Sequence, residues 1–311
     1  MAEAAIATRS LTRDFGHVRA VDGLTLDVPA GIIFGFLGAN GAGKTTTIHL
    51  LLGLLEPTSG SATVLGFDPV TQSDEIRAQS GALLEYSGLY ERLSADENLQ
   101  FYGRVYHLSA AERRERIKEL LGHVGLYDRR TERVGTWSRG MKQKLAIARV
   151  LLHRPRLIVL DEPTAGLDPV AAASLRDDLE SLVRREGTTV FLNTHNLPEA
   201  ERLCQQVGVI REGQLLAIGS PDQLRQQSGH PQAEIVGGGF TPEMLAMLRA
   251  RPDVEGATLE NGRLVITLRG AAKAAPIVTA LVRDGAEVEE VRRGQASLED
   301  VFLKLMEEGE R

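Results

Sequence analysis

Apolar and polar positions alternate through the first thirty residues and then give way to an unbroken apolar run, Ile32-Ile-Phe-Gly-Phe-Leu37. Alternation of period two predicts strands with one buried face, so residues 6 to 30 read as a small antiparallel sheet with turns at Gly16-His17 and Asp22-Gly23. The apolar run reads as a core strand, and Thr45-Thr-Thr-Ile-His-Leu-Leu-Leu52 carries a helical pattern after it. Turn chemistry at Glu56-Pro-Thr-Ser-Gly60 leads into a strand at Ser61–Leu65. Residues 74 to 84 predict a short helix and then an apolar strand, Ala82-Leu-Leu84, that ends at Glu85. A polar loop, Tyr86 to Ser94, follows. The period then turns helical three times, over Asp96–Tyr106, Ala110–His123 and Arg139–Leu152. Three helices without an intervening strand predict a helical insertion in an otherwise alternating α/β domain.

Alternation of strand and helix resumes at Arg156-Leu-Ile-Val-Leu160. A helix over Val170–Arg185, a strand at Thr188–Leu192, a helix at Leu197–Leu203 and a hairpin from Val207 to Ile218 around Glu212-Gly213 complete this part, and Pro221 opens one more short helix. The polar segment Gln226-Gln-Ser-Gly-His-Pro-Gln232 holds both a glycine and a proline and reads as a linker between a first domain, residues 1–225, and a second, residues 233–311. Beyond it the pattern predicts strand, helix, strand, strand, helix, strand and helix: Glu234–Val236, Pro242–Ala250, Val254–Glu260, Arg263–Leu268, Ala271–Asp284, Ala286–Arg292 and Leu298–Glu307. Asn261-Gly262 is a hairpin signal. That order is a small α+β split-βαβ domain. It contains no cysteine or histidine cluster and no glycine-rich loop, so it reads as a scaffold or regulatory module.

A chain of 311 residues exceeds what one core usually organises, which agrees with two domains. The formal net charge of −6 argues against a nucleic-acid partner held on a broad basic face. The single cysteine, Cys204, forms no internal disulfide, and no basic and apolar leader opens the chain, so a reducing cytoplasm is expected. No apolar run approaches the ~18 residues of a membrane-spanning helix. Any connection to a membrane is therefore expected to run through a partner.

The chemistry concentrates in Gly38-Ala-Asn-Gly-Ala-Gly-Lys-Thr-Thr46, which fits G-x-x-x-x-G-K-[ST] at every fixed position between a predicted strand and a predicted helix. In such a P-loop Gly38, Gly41 and Gly43 let the backbone of Asn40, Ala42 and Thr46 aim N–H groups at a polyphosphate. Lys44 neutralises the outer phosphates, the Thr45 hydroxyl is placed for Mg²⁺, and the helix N-terminus adds its dipole. Asp161-Glu162 follows a strand, and in open α/β sheets ligands lie off the carboxyl ends of strands. Asp161 is expected to hold Mg²⁺ through its water shell, and Glu162 to orient or deprotonate the water attacking the γ-phosphate. His195 lies just past another strand end, where a γ-phosphate contact outweighs a plain loop role. Phe15 is either an aromatic plate for adenine or a strand-edge core residue.

By Leu167 these motifs in this order resemble the ATP-binding cassette (ABC) ATPases of membrane transporters, over residues 5 to 225. Thr136-Trp-Ser-Arg-Gly-Met-Lys-Gln143 stands where that family carries its signature loop, followed by Asp161-Glu-Pro-Thr164, the D-loop Ala165-Gly-Leu-Asp-Pro169, and Thr194-His195. The resemblance implies a RecA-like core, an antiparallel β subdomain, a helical subdomain at about residues 86–155, and ferredoxin-like topology for the C-terminal domain. It implies two cassettes, here a pair of copies, closing head to tail over two ATP molecules. Ser138 and the Gly140 N–H of one copy would then reach the γ-phosphate held by the P-loop of the other. It also implies an adenine-stacking role for Phe15, catalytic roles for Glu162 and His195, and a separate transmembrane permease that holds the chain on the inner face of the cell membrane.

Two departures from the family pattern stand out. Glu85 replaces the usual glutamine at the Q-loop that senses Mg²⁺; its carboxylate can still ligate the ion, or it points away and Tyr86 to Leu93 does the coupling. Trp137 and Arg139 replace the usual leucine and first glycine of the signature, while Ser138 and Gly140 remain. The ending Gln295-Ala-Ser-Leu-Glu-Asp-Val-Phe302 is similar to the tails of drug- and antibiotic-export ATPases of the ABC-2 type. It is also the pattern of an amphipathic helix seeking a core.

Overall fold

The computed structural model describes residues 4–308 except 85, 166, 229–231, 261, 270–271 and 295–296. The chain divides into two compact units, Met1–Ile218 and Gly219–Arg311. The first unit is built on a six-stranded sheet. In spatial order its strands are β5 (Ser80–Leu83), β6 (Leu157–Asp161), β7 (Thr189–Thr194), β3 (Ile33–Leu37), β8 (Gln206–Arg211) and β9 (Gln214–Gly219). The first five run parallel. Strands covered on both faces are apolar throughout, which is why β3 and the first four residues of β6 show no alternation.

A second, antiparallel sheet joins β2 (Val18–Pro29), β1 (Ala4–Phe15) and β4 (Ser59–Val64) in that order. Its inward residues Ile6, Leu24, Leu26, Val28 and Val64 share one core with Phe34, Phe36 and Phe191 of the parallel sheet and with Ile48, Leu50 and Leu51 of helix α1 (Lys44–Leu51). Asp22-Gly23, expected as a turn, lies inside β2 instead. Gly23 has φ +60°, and the register steps from Leu11↔Leu24 to Arg13↔Val21, so Asp22 and Gly23 together oppose Thr12 in a β-bulge. The bulge frees the Asp22 N–H to donate to the Gly213 carbonyl at 2.9 Å in the β8–β9 turn. A turn-forming pair can serve either purpose, and the second sheet decides which.

Helix α2 (Ser73–Gln79) precedes β5, and the helical insertion follows as α3 (Ala95–Val105), α4 (Ala110–His123) and α5 (Arg139–Leu151). Capping boxes start two of these helices: the Ser94 and Ser109 hydroxyls accept the N–H of Glu97 and Glu112, whose carboxylates accept the serine N–H in return. The insertion has its own core of Leu99, Ile117, Leu121, Trp137, Leu145 and Leu152. Helix α6 (Pro169–Glu186), capped by Asp168, and α7 (Leu197–Leu203), capped by Asn196, complete the unit. Cys204 is buried behind β3. A Cβ on Gly35 would stand 2.8 Å from its Sγ, and burial pushes the thiol pKa well up.

The end of α5 is fastened to β5. Arg149 donates to the Ala82 carbonyl at 2.8 Å, and the His153 Nε2–H donates to the Ser80 carbonyl at 3.0 Å while the ring stacks on Tyr106 at 3.6 Å between centroids. Burial depresses the His153 pKa from 6.5 to about 4.

In the second unit, β10 (Gln232–Gly238), α9 (Pro242–Arg249), β11 (Val254–Glu260), β12 (Arg263–Leu268), α10 (Ala274–Arg283), β13 (Glu287–Gly294) and α11 (Leu298–Glu308) follow the expected order. They form an antiparallel sheet ordered β11-β12-β10-β13, whose core includes Ile235, Leu248, Ile266 and Leu281. β11 and β12 pair out to Glu260↔Arg263, as a hairpin requires; Gly262 has φ +77°, and Asn261 lies outside the described residues. Helix α8 (Pro221–Ser228) packs on α11 within this unit. Gln226 to Ser228, expected in the linker, are therefore helical. Ser220 and Gln223 exchange capping hydrogen bonds, at 2.9 and 3.1 Å, and start a helix that runs on through polar residues. Gly229 to Pro231 of that linker, and Gln295-Ala296 of the tail motif, lie outside the described residues.

A histidine held neutral in the fold makes stability pH-dependent. The unfolded chain takes up this proton near pH 6.5 and the folded chain only near 4, so the associated stability is present above 6.5 and is lost as pH falls through that window. His153→Phe keeps a stacking ring without a titrating nitrogen. The wild-type Tm is expected to fall more steeply than the variant's between pH 6.5 and 4 by thermal circular dichroism; a constant gap over that range would count against a buried neutral His153.

Candidate nucleotide site

From Leu37 the chain turns through Gly38 to Gly43 into α1. Two of these glycines are dictated by contact: a Cβ would lie 2.5 Å from the Ile210 carbonyl oxygen at Gly38 and 2.2 Å from the Ala20 carbonyl oxygen at Gly43, where φ is +100°. Gly41 also has a positive φ, +81°. The loop therefore packs on the antiparallel sheet and on β8, and neither approach tolerates a side chain. Lys44 is only 7% exposed, and its ammonium donates to the Gly38 and Ala39 carbonyls at 2.8 and 2.9 Å. Burial lowers its pKa, and the charges of Glu162 and Asp161 oppose that shift.

The loop borders a cavity of about 210 Å³ lined by Asn40, Gly41, Gly43, Lys44, Thr45, Thr46, Ala20, Asp161, Glu162 and Asn193. Thr45 is exposed at its edge. Parallel pairing of β6 and β7 sets Asp161 level with Asn193, whose amide donates to Asp161 Oδ1 at 2.5 Å. Glu162, one residue beyond the strand, adopts φ +49°, a region that L-residues visit rarely. Its N–H donates to the Asn193 carbonyl at 2.9 Å, and its Oε1 accepts both the His195 N–H at 3.0 Å and the His195 ring at 2.6 Å. A carboxylate only accepts, so the proton in that contact sits on Nδ1 and leaves Nε2 directed away from Glu162. Among the described residues Glu162 Oε2 takes a long contact, 3.5 Å, from the Thr194 hydroxyl.

The segment after Glu162 is held from two sides. Gln143 of α5 donates to the Pro163 carbonyl at 2.7 Å, and the Thr164 hydroxyl donates to Glu199 of α7 at 2.7 Å. Glu199 is buried, and burial is the first cause of its raised pKa. A second cavity of about 450 Å³, bordered by Leu84, Tyr86, Arg139 and Gln143, flanks the same two acids.

Asn40, Gly41, Gly43, Lys44, Thr45, Thr46, Asp161 and Glu162 thus line one cavity, and His195 is bonded to Glu162. Gly38, Ala42, Phe15, Ser138 and Gly140 do not line it. Phe15 is 47% exposed, with the Arg13 guanidinium 4.6 Å from its ring centroid. Ser138 is exposed at the head of α5, where its hydroxyl accepts the Met141 N–H at 3.3 Å. Glu85 lies outside the described residues, as does Gly166 of the D-loop. Sequence reasoning did not single out Gln143, Thr164, Glu199 or Asn193 as site residues. Gln143 and Thr164 close two of the motif stretches, Asn193 is a polar residue closing an apolar strand one place before Thr194-His195, and Glu199 left no signal.

A parallel sheet with a glycine phosphate loop after its central strand and paired acids at a neighbouring strand end define a P-loop nucleotide-binding protein. The ABC transporter family description matches residues 21–165, and the C-terminal domain of DrrA1-3-like ATP-binding proteins matches residues 219–306. The bacitracin transport ATP-binding protein BcrA of Bacillus licheniformis is 35% identical over 97% of each chain. The daunorubicin/doxorubicin resistance ATP-binding protein DrrA of Streptomyces peucetius is 37% identical over 97% of this chain and 92% of its own. A solved structure described as an ATP-binding subunit of an ABC transporter superposes with a TM-score of 0.67 at 32% identity, covering 72% of this chain and 92% of the other. The chain belongs to the ABC transporter family, as an ATP-binding subunit. The cassette fold and the kinship of the C-terminal tail with drug- and antibiotic-export ATPases, both expected from sequence, hold.

Gly43→Ala forces a Cβ against the Ala20 carbonyl at a strained φ. It is expected to cost about 1–3 kcal/mol of stability and to weaken ATP binding at least tenfold in a fluorescent-nucleotide titration. Wild-type affinity in this variant would show that the loop has slack the geometry does not suggest.

Proposed function

We propose that this chain hydrolyses ATP to drive a two-component exporter of antibiotic- or drug-like compounds, working as a dimer of cassettes on a separate membrane permease. The observation that carries the reading is the Glu162–His195 pair, joined at 2.6 Å at the edge of the cavity that Lys44 and Asp161 share. The bacitracin and daunorubicin/doxorubicin functions named for BcrA and DrrA support the cargo class and the direction. Among the described residues no helix is long and apolar enough to cross a membrane. A permease supplied as a second chain, with this subunit on the cytoplasmic face of the membrane, fits that arrangement.

Each residue has a task in this reading. Lys44 turns its ammonium from the loop carbonyls to the β- and γ-phosphates, and the amides from Gly41 to Thr46 cradle them. Glu162 Oε2 orients the attacking water and takes its proton, while His195 holds Oε1 through Nδ1–H and, with Nε2 protonated as well, donates Nε2–H toward the γ-phosphate. Thr45 and Asp161 offer an oxygen-donor set in the lining of the cavity, which fits Mg²⁺ held by few protein ligands together with phosphate. Bound there, the ion would neutralise charge developing on the β- and γ-oxygens. The exposed Ser138 and the N-terminus of α5 supply the second wall of the site from the partner copy, and Phe15 the adenine contact. ATP then binds the closed pair better than the open one, and that preference drives closure.

Two outcomes test this. Lys44→Ala is expected to reduce ATP turnover of the purified complex to background, and turnover at the wild-type rate would remove the P-loop assignment. Glu162→Gln keeps the shape but not the base; it is expected to lower hydrolysis by roughly 10²–10⁴-fold and to trap an ATP-bound dimer visible by size-exclusion chromatography with light scattering. A variant that stays monomeric at saturating ATP would refute the shared site.

A further inference from the structure

Asn193 is 2% exposed at the carboxyl end of β7, and it lines the phosphate cavity. Its side-chain amide can point only one way. Asp161 Oδ1, at 2.5 Å, is an acceptor when ionised, so the NH₂ of Asn193 faces it and the carbonyl oxygen Oδ1 takes the other position. Among the described residues that Oδ1 is buried and has no hydrogen-bond partner. A buried amide oxygen left without a donor is costly, so its retention at this spot calls for a donor supplied by something else. The acceptor's residue lies beside Asp161 and lines a cavity that Lys44 and Thr45 also line. The donor that fits a carboxylate on one side and an amide oxygen on the other is a water molecule carried by a divalent cation.

We propose that Asn193 is a positioning residue for the metal of the ATP site, resting on the nucleotide reading above. Its NH₂ fixes the rotamer of Asp161, and its Oδ1 accepts a hydrogen bond from a water in the cation's shell. The strand register makes this possible: Asp161 and Asn193 are direct neighbours in the parallel pair, and their side chains share the face toward α1. Outer-shell partners of this kind tune metal affinity about 10–100-fold.

The test compares ATP affinity in EDTA with ATP affinity in saturating Mg²⁺, for the full chain, by titration with a fluorescent ATP analogue. The wild type is expected to gain affinity with Mg²⁺. Asn193→Leu, of similar volume, is expected to keep the EDTA affinity within about twofold and to lose roughly tenfold of the Mg²⁺-dependent gain, with the Mg²⁺ concentration at half-saturation of turnover rising by a similar factor. Asn193→Thr retains a hydroxyl suited to a strand, is expected to lie between the two, and carries the test alone where the leucine variant does not fold. A metal-dependent gain equal to wild type in these variants overturns the inference and leaves the ATP reading intact, as does a loss equal in EDTA and Mg²⁺, which marks a purely structural role. A wild-type chain that binds no ATP overturns the ATP reading itself.

Discussion

The site depends on the level at which parallel strands end. Because β6 and β7 pair in parallel with Asp161 opposite Asn193, and β7 pairs with β3 so that Thr194 meets Leu37, the last residues of three strands stand in one row. From that row the chain leaves by three different turns, into the phosphate loop, into Glu162 and into His195. None of these side chains needs to travel to meet the others. A one-residue slip of β6 against β7 would carry Asp161 away from its amide partner, and the buried residues below, Leu157 to Leu160 and Val190 to Leu192, enforce the register through their packing. The hydrophobic core therefore sets the geometry of the charges.

How much of this could be read from the chain alone follows from how local each cause is. The phosphate loop was legible because its motif has a fixed spacing between a strand pattern and a helical one, although the contacts that dictate Gly38 and Gly43 come from Ile210 and Ala20, far from the turn in sequence. The helices of the insertion were legible because Ser94, Ser109 and their glutamates cap within one turn. Asp22-Gly23 was misread as a turn because its role is decided by Gly213, nearly two hundred residues on, which receives the N–H that the bulge sets free. The run from Gln226 to Ser228 was misread as linker because polar composition outweighed a capping pair just upstream at Ser220 and Gln223.

In the site, Gln143 and Thr164 stand within motif stretches, but what each of them holds is not marked by any spacing. Gln143 reaches the Pro163 carbonyl across twenty residues, and Thr164 reaches Glu199 across thirty-five. Contacts of that length have no periodicity to betray them. Their effect is to tie the turn carrying Glu162 both to the helix headed by Ser138 and to the helix that follows His195. The two ends of the proposed reaction, the base in one copy and the serine offered to the other, are thereby parts of one braced block.

The burial of Cys204 has a practical sequel. The chain has one sulfhydryl, and it is sealed behind Gly35 with its proton held firmly by its apolar surroundings, so it is a poor nucleophile toward maleimides or oxidants. Reporter cysteines can then be placed on the unaltered background, one on each face to be tracked, and a spin or fluorescent label will report on that position with little contribution from the native thiol.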